Sequence, residues 1–253
     1  MSALSYISEY GSNSEDSDCE IYSASAVKKI KLHVPDLSNI AVVPKENIKD
    51  NPAVHGGRKR SFPHERGNWA SFIYVKYPDE EFLHNWIEKL REEVSCVEAT
   101  CEQCDNIHIS LSKTFILKYH LINPFTSSLQ EVLGSIECFE LSFGAIKVYC
   151  NEENTRTFIS LEVDYSSNKY LSNISNKIDQ VLEEYKLPKF YDDPSFHVSL
   201  LWFHGNKKRE LKDILEKLNN TVQQDLHQHN KTGFIDKLNC KIGNKYFQYS
   251  LQP

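Results

Sequence analysis

Two tripeptides of one pattern, His108-Ile109-Ser110 and His197-Val198-Ser199, sit inside the apolar, β-branched runs 106–111 and 195–200. Runs of this kind form strands. Side chains at i and i+2 of a strand project from one face, and the residue between them projects from the other. Each run therefore presents an imidazole beside a hydroxyl on one face and offers its apolar residues to a core on the other. That is the tightest constraint in the chain. Two strands, distant in sequence, each need one packed side and one open side.

The rest of the composition sets bounds on what surrounds those strands. At 253 residues, with 40% apolar and 25% charged residues, the chain is long enough for one sizeable globular domain plus a tail. A formal net charge of −6 argues against broad coating of nucleic acid, because non-specific binding depends on Lys and Arg neutralising phosphates. A local basic cleft stays open, since a site responds to its own field. No run approaches the ~18–20 apolar residues that span a bilayer. The first ten residues also lack the charged start and apolar stretch of a secretory signal, so no membrane association is expected. Seven scattered cysteines, an odd number in a chain too large to need staples, point to a reducing intracellular compartment.

Residues 1–60 differ from the rest of the chain. They hold the acidic, serine-containing stretch 14–20, then Lys28-Lys29-Ile30-Lys31, then a Pro-spaced segment, with no regular periodicity. They are expected to form a disordered or loosely attached tail. The cluster Gly57-Arg58-Lys59-Arg60 suits nuclear import, a phosphate contact or a solvated linker. Residues 61–253 form the expected domain. Trp69–Val75 is aromatic and β-branched, hence a strand. A helix opening at Pro78-Asp79 carries Phe82, Leu83, Trp86, Ile87, Leu90 and Val94 on one stripe. After the first His-x-Ser strand come a short strand near 114–117, a helix over 127–138 and a strand pair, 139–150 and 156–163. Next in order are a helix over 168–185, the second His-x-Ser strand, a helix over 207–227 and closing strands at 234–242 and 246–251. Helix, His-x-Ser strand, helix and strand pair occur twice. The expected fold is α+β, with two pseudo-symmetric lobes whose antiparallel sheets flank a central cleft, each lobe giving it one motif strand.

In such a cleft the four side chains suit acid–base cleavage of a phosphodiester without a metal. If RNA lies there, its own 2′-hydroxyl is the nucleophile. One neutral histidine removes that proton and the other, protonated, gives a proton to the departing 5′-oxygen. An ordinary imidazole pKa near ~6.5 lets both forms coexist. Ser110 and Ser199 donate to the non-bridging oxygens. The product is a 2′,3′-cyclic phosphate, which the same pair opens if it can hold water. Spacing alone names no substrate.

At these residues the chain resembles the 2H phosphodiesterase superfamily, with its two His-x-Ser/Thr motifs in a bilobal α+β fold. Four stretches, 61–69 (SFPHERGNW), 108–113 (HISLSK), 191–200 (YDDPSFHVSL) and 240–247 (CKIGNKYF), resemble the U6 small nuclear RNA phosphodiesterase family within it. They cover the domain from about residue 60 to its end. The resemblance implies a nuclear, metal-independent 3′-to-5′ RNA exonuclease without cofactor. Such an enzyme trims the oligouridine 3′ tail of U6 RNA and leaves a cyclic or 3′ phosphate. It implies His108 and His197 as the catalytic pair and Ser110 and Ser199 as phosphate donors. Tyr191, six positions before the second histidine, becomes the aromatic that stacks on a nucleobase. Ser195 and Phe196 fall in the substrate-contacting loop. A monomer acting on an RNA 3′ end is expected, with no metal.

Other features weigh less. Cys101-Glu102-Gln103-Cys104 has the spacing of half a zinc site, but a distant second pair is missing, and ligation by His108 would remove it from catalysis. His120 and His204 suit structural roles, as do His64 and Arg66 at the entry to the domain. Trp202 suits the core, and Lys207-Lys208-Arg209 suits a solvated surface. Two rivals remain: another 2H enzyme acting on small cyclic nucleotides or tRNA ends, and an RNA-binding module that keeps the fold without the chemistry.

Overall fold

A computed structural model describes Phe62 and residues 65–77, 80–97, 100–229 and 232–253. The tail over 1–60, its Gly57–Arg60 cluster and His64 lie outside the described residues. The chain runs β1 (Asn68–Lys76), α1 (Glu80–Val94), β2 (Glu102–Gln103), β3 (His108–Ser110), β4 (Phe115–Lys118), α2 (Ile122–Leu133), β5 (Phe139–Leu141), β6 (Phe143–Cys150), β7 (Arg156–Val163), α3 (Tyr165–Glu184), β8 (His197–His204), α4 (Lys208–Asp213), α5 (Leu215–His229), β9 (Gly233–Ile235), β10 (Lys237–Ile242) and β11 (Lys245–Ser250). Among the described residues no helix is long and apolar enough to cross a membrane.

The helices follow their apolar stripes. Leu83, Trp86, Ile87, Leu90 and Val94 are all buried along α1. Helix α3 starts behind Asp164, whose side chain accepts the Ser166 N–H at 3.1 Å and satisfies one of the orphan donors of the first turn. Several boundaries depart from expectation. Helix α2 begins at Ile122 rather than 127, because Ile122 and Phe125 find core positions and Pro124 is harmless in a first turn. It stops at Leu133, before Gly134, instead of reaching 138. The expected helix over 207–227 is two helices, broken where Ile214 adopts φ −105° and ψ 3°. The expected strand over 139–150 is interrupted at Ser142, whose N–H goes to the Ser167 hydroxyl at 2.9 Å and whose carbonyl accepts from Asp164. That break frees β5 to pair with β9 in a separate two-stranded sheet.

The main sheet has the order β11-β10-β1-β3-β8-β7-β6, with β4 also on β1 and β2 also on β8, and every pair is antiparallel. It consists of two half-sheets meeting at β3. One contains β1, β4, β10 and β11, the other β2, β6, β7 and β8. The strand pairs of the duplicated order are exchanged in space. Hairpin β6–β7, which follows the first motif, packs on the second motif strand, and hairpin β10–β11, which follows the second, packs beside the first. Helices α1 and α5 back the β6–β8 half. Helix α2 packs on α3 and against β11, and Ser175 of α3 donates to the Leu111 carbonyl at 3.3 Å. The apolar row Val75–Ile109–Val198 crosses the junction in register, and all three residues are 0% exposed. Burial of that row fixes which face of the motif strands stays open.

Candidate active site

Ile109 stands opposite Val198 in the antiparallel β3–β8 pair. Their neighbours therefore point to the other face in crossed pairs, His108 opposite Ser199 and Ser110 opposite His197. The structure thus brings all four motif side chains together on one face, and each is half-buried there. In both motifs the imidazole is held the same way. His108 Nδ1 lies 2.8 Å from the Asn106 carbonyl, and His197 Nδ1 lies 2.7 Å from the Ser195 carbonyl. A carbonyl only accepts, so each Nδ1 carries the hydrogen and each Nε2 is left to gain or lose a proton. Burial pushes both imidazoles below the usual histidine pKa. At His197 the Ser195 carbonyl opposes this effect, the nearby His108 adds to it, and Glu162 opposes it.

Neighbouring strands distinguish the two halves. Register places Lys76 beside His108 and Tyr74 beside Ser110. The His108 ring lies 5.5 Å from Phe72 and 5.4 Å, edge-on, from Tyr74. His197 instead stacks on Tyr149 of β6, with centroids 4.0 Å apart and planes 15° apart. The Tyr149 hydroxyl is 2.6 Å from Ser195 Oγ, and Ser195 donates onward to Glu162 at 3.4 Å. Glu162 also takes the Lys147 ammonium. Ser199 Oγ lies 3.2 Å from Ser160 Oγ, a hydroxyl on a residue buried in the middle of β7. Sequence reasoning missed Tyr149, Ser160 and Glu162. A serine inside the apolar run 159–161 was a signal, whereas Tyr149 becomes visible only through the β6–β7–β8 registers.

The remaining candidates separate by exposure. Tyr191 is 49% exposed, with Lys113 Nζ 4.3 Å from its ring centre and Phe190 against its edge at 5.0 Å. Ser195 is exposed, whereas Phe196 is 2% exposed and stacks on Phe190 at 5.8 Å. Of the two residues expected in the substrate-contacting loop, Ser195 is open to solvent and the Phe196 ring is not. Strand alternation turns that ring away from the face bearing Ser195 and His197, and it supports the loop from the core. Trp202 is 9% exposed and has the Arg156 guanidinium 3.9 Å over its ring, so it belongs to the packing. Residues 102 and 103, between Cys101 and Cys104, are a strand on β8, and the Cys104 N–H donates to the Leu200 carbonyl at 3.0 Å. Among the described residues no three His, Cys, Asp or Glu side chains gather closely enough to hold a metal ion.

This constellation has relatives. The profile of the HVSL family, described as an uncharacterised conserved protein, matches residues 31–250. This chain spells those letters at His197-Val198-Ser199-Leu200. A protein of Drosophila melanogaster named U6 snRNA phosphodiesterase 1 is 38% identical over 265 residues, covering 100% of both chains. The Homo sapiens protein of that name is 35% identical, over 90% of this chain and 87% of its own. Among solved structures, Kluyveromyces marxianus Usb1 superposes with a TM-score of 0.51 at 14% identity, over 72% of this chain and 98% of that one, which shows a shared fold. Crossed His–Ser pairs on adjoining strands, together with 35–38% identity over most or all of these relatives, place the chain in the U6 small nuclear RNA phosphodiesterase family.

Proposed function

We propose that the protein is a phosphodiesterase that processes the 3′ end of U6 small nuclear RNA, removing oligouridine residues in the 3′-to-5′ direction. One observation carries this reading: the β3–β8 register sets each imidazole across from the other motif's hydroxyl on one open face. The 2′-hydroxyl next to the terminal linkage gives its proton to one neutral Nε2 and attacks the phosphorus. The other Nε2, protonated, donates to the departing 5′-oxygen. The P–O5′ bond breaks as the P–O2′ bond forms, leaving a 2′,3′-cyclic phosphate and a free nucleoside. Ser110 and Ser199 donate to the non-bridging oxygens as charge grows on them. Half-exposed Tyr191 is the surface on which a terminal uracil stacks, worth ~1–3 kcal/mol. The two imidazoles and two hydroxyls supply the proton transfers and charge stabilisation without a metal. The protein acts as a monomer, in the nucleus, where U6 RNA is matured.

An oligouridine with a 2′-deoxy sugar just 5′ of its terminal linkage tests the mechanism. The all-ribose RNA is shortened one nucleotide at a time and keeps its rate in EDTA, and the substituted RNA is not cut. Removal of the last nucleotide at the normal rate from the deoxy substrate overturns the transesterification. Faster opening of 2′,3′-cyclic mononucleotides than trimming of oligouridine moves the enzyme to the small-nucleotide branch of the superfamily.

A further inference from the structure

Beyond His108, the open face of the sheet continues across β1, β10 and β11. Register carries it from Phe72 and Tyr74 to Lys241 and Asn239, and from these to Tyr246 and Gln248. The alternate residues Ile73, Cys240 and Tyr249 are buried, and on the open face Asn239, which accepts from Gln248, is buried as well. The open face is ordered. Phe72 and Tyr74 lie 5.0 Å apart, Lys241 Nζ is 5.2 Å from the Tyr246 ring centre, and Gln248 donates to Asn239 at 3.3 Å. Tyr246 is 64% exposed. The electrostatics of this region run against the chain as a whole. Within a protein of net charge −6, these three strands hold no aspartate or glutamate, and strand alternation puts Lys76, Lys237 and Lys241 on the open face, with Lys245 on the other side. Lys237 is paired with Asp236 at 3.6 Å, and on the opposite half-sheet Lys147 is engaged by Glu162.

We propose that this face, with Tyr246 and Lys241 at its outer edge, binds the single-stranded RNA body on the 5′ side of the scissile linkage. The inference rests on the exonuclease reading above. An enzyme that removes the last nucleotide has one base on the 3′ side of the cut and the whole remaining RNA on the other. An extended surface leading away from the histidines therefore matches the body and not the leaving nucleotide. At a strand spacing of ~4.8 Å, the distance from β3 to β11 is about 14 Å, more than the terminal residue needs. Lysines interleaved with exposed aromatics are the recognition chemistry of unpaired RNA. The cations meet the phosphates, and the rings meet bases of any sequence. A surface of this kind makes a longer RNA the better substrate without adding any group to the reaction centre.

The test compares kcat/KM for a ten-nucleotide oligouridine with that for the dinucleotide UpU, in the full chain and in Tyr246→Ala and Lys241→Gln. The full chain prefers the longer RNA. Each variant lowers that preference, Tyr246→Ala by about tenfold, within the range of one stacked base. Lys241→Gln also flattens the salt dependence of ten-nucleotide binding by about 0.7 in the log–log slope. Tyr165→Ala, which removes a 90%-exposed ring at the start of α3, serves as the surface control and leaves the preference as it was. A preference equal to that of the unaltered protein in both variants overturns the proposal, as does a protein that shows no length preference. Anisotropy with a 2′-O-methyl oligouridine, which cannot react, reads the face without catalysis. If the protein binds this RNA through Tyr246 and Lys241 but cuts no RNA, the functional reading fails and the face stands. If it cuts and the variants bind normally, the face fails and the functional reading stands.

Discussion

His108 and His197 are the same device at the level of the backbone and different devices at the level of their neighbours. Both follow a carbonyl that anchors Nδ1, both precede a serine by two residues, and burial lowers both pKa values. His108, however, meets Tyr74 edge-on and Phe72 at a tilt, while His197 has a ring stacked flat on it and a carboxylate within electrostatic reach. The lesson is that the duplicated strands set where the imidazoles point. The strands beside them, β1 in one half and β6–β7 in the other, set how each imidazole responds to a proton.

The strongest way to break the comparison is to remove the histidines singly. His108→Ala and His197→Ala should each lower kcat by ~10²–10⁴-fold, and the double variant should cost little more than either, because the two act as one unit. Retention of near-normal rate after one of the replacements would mean that the symmetry of the site is not a symmetry of function. Tyr149 provides a finer test. Tyr149→Ala removes the stacked face and should reduce kcat by about 2–10-fold, the scale of one aromatic pair. Tyr149→Phe keeps the ring, loses the bond to Ser195, and should fall between the two. Equal rates for all three proteins would show that the stack does not hold the imidazole in place.

The smallest effect concerns pH. Cleavage needs one imidazole neutral and the other charged, and both pKa values lie below the usual ~6.5, so the bell-shaped rate profile should be displaced to the acid side. Glu162 favours the charged form of His197, so Glu162→Gln should lower that pKa. The limb that reports His197 then moves to lower pH. If the alkaline limb moves more, His197 is the acid; if the acid limb moves more, it is the base. Stability follows the same sign. Near pH 6.5 the unfolded chain binds more protons at these histidines than the folded one. Their contribution is therefore present above the unfolded pKa and lost as pH falls from there through the lower folded pKa. Denaturant midpoints measured on either side of pH 6 check that direction.

Much of this arrangement is visible before folding. Alternation in 106–111 and 195–200 specifies both the strands and the side of each that carries His and Ser, because a period of two leaves no other choice. The stripe on α1 and the apolar spacing on α3 are equally local. Boundaries are weaker where backbone partners come from far away. Ser142 breaks its strand because Ser167 and Asp164 take its hydrogen bonds, and no window of sequence around 142 contains them.

From its own sequence, then, this protein carries two His-x-Ser strands, the helices between them and the motifs of its family, since all of these rest on short-range periodicity and residue type. Tertiary structure decided the rest. It exchanged the two hairpins between half-sheets, joined β3 to β8 through Ile109 and Val198, moved Phe196 into the core, and brought Tyr149 onto His197. Strand pairing is a long-range choice, settled by which apolar faces can be buried together, and the electrostatics of each histidine come from residues that only that pairing makes neighbours.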